Sequence, residues 1–345
     1  NWLDLLGDNQ YAQLMGTPSA FAFATSQPGA IFNAGNLRVE AGQSLTLLGG
    51  TIVSTGTLTA PGGSITIAAV PGQKLVRISQ SGSLLSLDLP LTSSSPSNSS
   101  PLSLPALLTG GNLTGATGVM VDNGIVRLTG SGVTIPSEVG TTIVAGTLNT
   151  ASTTSTSQIQ VLGKQVGLLS ATVDASGRQG GTVLIGGDYQ GLGTTPTAQA
   201  TFVSTDSLIR ADALSMGNGG KVIVWADGST RFYGSISARG GRRGGNGGLV
   251  ETSGKQSLDV GNATVDATAI AGQGGVWLLD PTDVTIALGG TGGLTGGIFD
   301  PATNSTISPI TIVNALNAGI NVTITTSSGT GGNGDITLVD SINQT

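Results

Sequence analysis

The chain repeats one phrase: a small polar stretch, a Gly-Gly pair and a short run rich in β-branched residues. It reads Ala60-Pro61-Gly62-Gly63-Ser64-Ile65-Thr66-Ile67, Gly180-Gly181-Thr182-Val183-Leu184-Ile185, Gly219-Gly220-Lys221-Val222-Ile223-Val224-Trp225, Gly247-Gly248-Leu249-Val250-Glu251 and Gly274-Gly275-Val276-Trp277-Leu278-Leu279. A turn-plus-strand unit that recurs cannot bury its apolar side until the next unit stacks on it, so the repeat predicts a solenoid. Glycine ahead of each strand answers one of two needs: a positive φ at a sharp bend, or an approach of neighbouring coils too close for a Cβ atom.

The second glycine of successive pairs falls at 181, 220, 248 and 275, giving intervals of 39, 28 and 27. The first interval predicts two coils of about 20 residues, within the range of solenoid units. Short strands separated by Gly-, Asn- or Pro-containing turns also run from Ala30 to Ala69, at Leu37-Arg38-Val39, Leu45-Thr46-Leu47-Leu48, Thr51-Ile52-Val53, Thr57-Leu58-Thr59 and Ile65-Thr66-Ile67. Aromatics are only 3% of the chain and charged residues 9%, while the hydrophobic fraction is 38%. That mixture suits a narrow core of stacked aliphatic side chains and argues against disorder.

Three stretches depart from the repeat. Asn1 to Ala24 carries a weak helical pattern at Leu3, Leu5, Leu6, Leu14 and Met15. From Leu84 to Leu108 the sequence turns Ser/Pro-rich around Ser93–Pro101, which cannot pair as a core strand and reads as a loop leaving the solenoid. Strands resume at Val119–Val121, Ile125–Leu128 and Thr142–Val144, followed by a Ser/Thr-rich stretch at Thr150–Ser157. The expected organisation is therefore coils over 1–69, an extra-helical β element over 70–157, and the main repeat over 158–345. Within the last part, Ile310–Gly319 reads as a short helix stopped by glycine, followed by strands at Val322–Thr325 and Asp335–Leu338.

Composition also excludes chemistry. The chain has no cysteine and no histidine, which removes disulfides, thiol catalysis, the commonest metal ligand and every triad built on imidazole. Its net charge of -6 offers no general attraction to nucleic acid or anionic lipid. No apolar run approaches the roughly 20 residues of a membrane span. The start, Asn1-Trp2-Leu3, lacks a basic leader, so any export signal is expected outside the chain.

The phrases Gly219–Gly228, Gly234–Gly241, Asn246–Lys255, Gly275–Ile286 and Ala315–Ile324, closing with Gly334–Leu338, resemble the filamentous-haemagglutinin-like exoproteins of two-partner secretion in Gram-negative bacteria. The resemblance is dense over about 170–340 and extends over 25–170. It implies an all-β chain folded as a right-handed parallel β-helix with an extra-helical β/loop excursion. It also implies export through an outer-membrane transporter barrel and a non-enzymatic role as an adhesin on the cell surface, binding a host-cell, neighbouring-cell or matrix glycan or protein. The Asn-Pro-Asn phrase of the family's amino-terminal secretion module is absent, which places the chain downstream of most of that module and leaves partner-recognition residues unassigned.

A β-helix also carries polysaccharide-degrading enzymes, whose chemistry needs carboxylates gathered on one face. Here the acidic residues are scattered, and the nearest approach to a pair is Asp280 with Asp283, in an Asp-Pro-Thr-Asp sequence that is turn chemistry in its own right. No catalytic, cofactor or metal residue is assigned, and polysaccharide binding or degradation stands as the alternative function. Calcium at that turn lacks the Gly-Gly-x-Gly-x-Asp array that would support it. Arg239, Arg242 and Arg243 form the densest positive cluster, suited either to gripping sulfate, uronate or phosphate or simply to solvation in a glycine-rich turn. Lys255 follows Ser253-Gly254, but Gly248 is one residue too far upstream for a phosphate loop and Gln256 replaces its hydroxyl residue. Trp225 and Trp277 serve either as sugar platforms or as buried covers of a coil, and burial is the expected role. The sequons at Asn98, Asn112, Asn262 and Asn321 are candidate glycan acceptors, though such triplets arise easily by chance in a Ser/Thr-rich chain.

Overall fold

A computed structural model describes residues 20–23, 28–72, 74–78, 84–88, 118–122, 125–129, 134–135, 139–261, 263–289, 299, 305–327 and 332–343. The weak helical pattern up to Met15, the Ser/Pro-rich centre at 93–101 and the sequons at Asn98, Asn112 and Asn262 lie outside the described residues.

The chain is a parallel β-helix. Three parallel sheets, of 7, 7 and 8 strands, run along its length. Each coil contributes one strand to each sheet, as in Gln165–Leu168, Thr172–Asp174 and Thr182–Ile185 of the fourth coil and Ser229–Phe232, Ser235–Ser237 and Leu249–Gly254 of the sixth. Register keeps side chains in columns. Leu58, Leu148, Val173, Ile209, Ile236 and Val265 stand in line on the inner side of the second sheet. On the third sheet, Leu45, Ile65, Ile159, Val183, Val222, Val250 and Trp277 do the same. Each such aliphatic side chain contributes about 1.5–3 kcal/mol by leaving water.

The first sheet admits three threonines to the core, and all are satisfied. Thr142, Thr201 and Thr230 each donate a hydroxyl proton at 2.7 Å to a backbone carbonyl at the end of a third-sheet strand, that of Leu162, Trp225 and Ser253 respectively. A β-branched residue fits the inner face of a strand, and its hydroxyl ties one corner of the coil to the next.

The Gly-Gly phrase is explained chiefly by close approach, with a positive φ of +65° at Gly62. None of Gly63, Gly181, Gly220, Gly248 and Gly275 has a positive φ. A Cβ on Gly220 would stand 2.1 Å from the carbonyl oxygen of Gly181, one on Gly248 2.1 Å from that of Gly220, and one on Gly275 2.1 Å from that of Gly248. The first glycine of each pair meets the following coil instead: a Cβ on Gly219 would lie 1.9 Å from the Ala238 oxygen, and one on Gly247 1.8 Å from the Ala267 oxygen. The second glycine's N–H also closes its own turn, donating to Ala175, Ala211, Ala238 and Ala267 at 2.9, 2.7, 2.8 and 2.7 Å from Gly181, Gly220, Gly248 and Gly275. Turns of different length thus end in one bond.

Two expectations change. The 39-residue interval from 181 to 220 holds one coil, with strands Ala200–Val203, Leu208–Arg210 and Lys221–Ala226, lengthened by a loop over 186–199. Spacing alone does not distinguish a second coil from a loop. In addition, the solenoid resumes upstream of 158. Thr141–Val144 pairs with Thr51–Ser54, Thr147–Asn149 with Thr57–Thr59, and Gln158–Leu162 with Ser64–Ala69. The coil at 141–162 lacks the phrase because Ser157, not glycine, precedes its third strand. Coils two and three are therefore adjacent in space across the detour at 71–139. Within that detour, Lys74–Ile78 and Leu84–Asp88 join Ala20–Phe23 in one antiparallel sheet, while Gly118–Asp122, Ile125–Thr129 and Thr134–Ile135 form another.

Beyond the seventh coil, Val284–Ile286, Thr306–Ile307 and Ile336–Leu338 make a short parallel sheet. Helix α1 (Pro309–Asn317) begins with Ser308 capping Ile310 N–H at 3.3 Å and Pro309 in the first turn. Gly319, at φ +84°, ends it as the sequence suggests.

Gly248→Ala should lower stability by about 3 kcal/mol, because backbone must part from backbone across two coils. Gly29→Ala, where a Cβ meets nothing within 4 Å, should be nearly neutral. Urea unfolding of the two variants checks the contrast.

Candidate functional site

Strand parity sends alternate residues of the third sheet to opposite sides. Along Lys221–Ala226, Val222 and Val224 enter the core, while Ile223 and Trp225 point outward with Leu184 in a separate apolar cluster. The same parity turns Trp277 inward, where its Nε1–H donates to Thr252 Oγ1 at 2.9 Å. Both tryptophans are buried covers, one on each side of the same sheet, and neither is displayed to a sugar.

The loop at 186–199 covers the outer cluster. Gly186 turns at φ +75°, and a Cβ there would lie 2.2 Å from both Thr201 Oγ1 and the Trp225 carbonyl. Gly187 and Gly191 let the chain lie flat on the indole, since a Cβ on either would come within 2.7 Å of the ring. Trp225 is left 3% exposed, with Nε1–H donating to Asp227 Oδ1 at 3.0 Å and Tyr189 packed against the cluster. Asp188 accepts Tyr189 N–H at 2.6 Å and pairs with the Lys221 ammonium.

Gln190 fastens this loop to two carboxylates. Its backbone, at φ +51°, aims N–H at Glu251, 3.0 Å from Oε2 and 3.2 Å from Oε1. Its side-chain amide donates to Asp280 Oδ2 at 2.9 Å, while Thr325 donates to Asp280 Oδ1 at 2.8 Å. Glu251 is 0% exposed. Burial pushes its carboxyl up to about 7; the Asp280 charge adds to the rise, whereas the Gln190 N–H, Ser253 and Lys221 oppose it. The loop therefore covers the Glu251 carboxyl completely.

The sequence candidates separate. Asp280 faces Gln190, whereas Asp283 turns away and accepts the N–H groups of Asn333, Gly334 and Asp335 at 3.1, 2.8 and 2.8 Å. Arg239 leans on Asp212, with Nη2 2.7 Å and Nε 3.3 Å from Oδ2, while Asp212 Oδ1 accepts Arg239 N–H at 2.8 Å and Ser237 Oγ at 2.6 Å. Burial raises the Asp212 carboxyl, but the Arg239 hydrogen bonds and charge, with Ser237, hold it below the usual range. Arg242 and Arg243 are exposed and enter no ion pair among the described residues. Lys255 is exposed at a tight corner, its N–H donating to Ala226 O at 2.9 Å, in no phosphate-loop geometry. Asn321 spends its amide on the carbonyls of Gly274 and Gly275 at 3.3 and 3.2 Å. Among the described residues no three acidic side chains gather as a metal site, and no helix is long and apolar enough to cross a membrane. A cleft of about 540 Å³ lies between α1 and the edge strand Thr264–Asp266, with Arg239 and Asp266 already paired at its rim.

Sequence reasoning passed over Glu251, Gln190, Asp188 and Lys221. One signal was present: a glutamate in an outward position of a strand, opposite an interval too long for its neighbours.

No family model and no curated protein matches the chain. Among solved structures, the HMW1 secretion domain from Haemophilus influenzae is similar, with 20% identity over 73% of this chain and 67% of that chain and a TM-score of 0.37.

The Glu251 carboxyl titrates near 7 in the closed loop against about 4.5 in open water, so the closed form takes up a proton as pH falls through 7. Closure is strongest below about 4.5 and weakens as pH rises through 7, by roughly 3 kcal/mol in full. The urea midpoint followed by Trp225 fluorescence should therefore fall as pH rises from about 4.5 to above 7, read against a Trp225→Phe control, and Glu251→Gln should abolish that part of the pH dependence.

Proposed function

We propose that the chain is part of a secreted bacterial exoprotein of the haemagglutinin type, a rigid β-helical scaffold for cell or matrix adhesion delivered through an outer-membrane transporter barrel. The observation that carries this reading is the unbroken register of the three sheets. Coil stacks on coil even across the detour at 71–139, while length variation is confined to turns, loops and that detour. Such construction suits a rod that holds surfaces at fixed spacing, where weak contacts repeated along its length add up. The phrases shared with two-partner secretion exoproteins support the route of export.

The non-enzymatic part of the proposal rests on the fate of the carboxylates. Glu251 and Asp280 hold a loop, Asp283 holds a turn and Asp212 holds Arg239, so each is engaged within the fold.

Beads coated with the purified protein should adhere saturably to host cells or to matrix, and heat-denatured protein should not replace it. The Glu251→Gln/Asp280→Asn variant should adhere equally well. Release of reducing ends or unsaturated products from a polysaccharide panel, lost in that variant, would replace the scaffold reading with an enzymatic one.

A further inference from the structure

The turns leading from the second sheet to the third stack into a continuous corner. Gly177 N–H donates to Asp212 O at 2.9 Å, and Leu214 N–H returns to Gly177 O at 2.7 Å. The next turn adds Arg243 N–H to Ser215 O at 2.9 Å and Gly217 N–H to Gly244 O at 2.8 Å. Gly240 N–H to Thr268 O at 2.8 Å and Gln273 N–H to Asn246 Oδ1 at 2.9 Å bring in the turn of the seventh coil. At about 4.8 Å per coil, the corner runs roughly 14 Å along the axis.

This corner displays arginines and aliphatic side chains together. Arg178, Arg242 and Arg243 are exposed there with no ion pair among the described residues. Leu214 (49%), Met216 (61%) and Ile270 (78%) stand exposed between and beside them. The nearby carboxylates are occupied. Asp212 is buried against Arg239, while Asp174 and Asp266 accept N–H groups of their own turns, from Ser176 at 2.9 Å and Thr268 at 3.1 Å. In a chain of net charge -6, three unpaired arginines interleaved with three exposed aliphatic side chains form a segregated cationic and apolar strip.

We propose that this corner docks on a lipid surface bearing anionic phosphate headgroups, the arginines meeting phosphate and Leu214, Met216 and Ile270 entering the boundary between headgroups and acyl chains. Charge complementarity calls for an anion, and guanidinium matches phosphate geometry. The aliphatic side chains then decide between anions. A sulfated or uronic polysaccharide gains nothing from leucine, methionine and isoleucine, whereas a lipid interface removes their surface from water. The overall negative charge opposes approach at long range, so binding depends on short-range contact.

Co-sedimentation with vesicles of mixed phosphatidylglycerol and phosphatidylcholine, against phosphatidylcholine alone, tests the proposal. The protein should pellet with the anionic vesicles only, and less so at high salt. Arg178→Ser/Arg242→Ser/Arg243→Ser should weaken binding about tenfold or more. Leu214→Ser/Met216→Ser/Ile270→Ser should weaken it independently, both variants keeping the wild-type circular dichroism because the replaced side chains are exposed. Absence of pelleting with anionic vesicles, or pelleting indifferent to both variants, overturns the proposal. So does retention on immobilised heparin that needs the arginines, combined with vesicle binding untouched by loss of the aliphatic trio, which assigns the corner to a polyanionic saccharide.

Discussion

The structure depends on a contact between backbones. At five coils a glycine, Gly63, Gly181, Gly220, Gly248 or Gly275, comes so close to a backbone carbonyl of its neighbour that no side chain fits, and its amide closes the turn on an alanine whose side chain is buried inside. This pinch brings the third-sheet strands that follow it to the same starting point, whatever the preceding turn has done. Aliphatic columns, threonine ties and ladder hydrogen bonds all require strands that begin in register, and the pinch provides that beginning.

Fixing the strands leaves the connections free to vary, and the candidate site arises from that freedom. The loop at 186–199 replaces a tight corner in a single coil and folds back over an outward tryptophan and a buried glutamate. An ionisable group buried beneath such a cover ties the stability of the covering loop to proton concentration. The stacked turns at the corner between the second and third sheets vary by the same licence, but collect charge and apolar surface instead.

The repeat made the solenoid legible because glycine pairs and β-branched runs report backbone constraints that few other residues meet. Its narrow aliphatic core could be read from the scarcity of aromatics, and α1 from the run Ile310–Ala318 stopped by Gly319. What escaped was whatever depends on contacts distant in sequence. Ser157 takes the place of a glycine and hides a coil. An interval of 39 residues looks like two coils, though it is one coil and a cover. Arg239 groups with Arg242 and Arg243 by spacing, yet it is the one of the three that Asp212 from the preceding coil holds. Glu251 is an ordinary strand residue until Gln190, 61 positions earlier, arrives above it.

The detour between the second and third coils carries a further consequence. Closing a loop of about 90 residues instead of about 20 costs only roughly 1.3 kcal/mol more in chain entropy, less than one well-packed core side chain returns. The seam therefore works as a splice site: material can be added or exchanged there while the coils on either side keep their pairing. The length of the rod is set by its number of coils and its decoration by the residues threaded out at the seam, so reach and cargo can change independently over the history of such a chain.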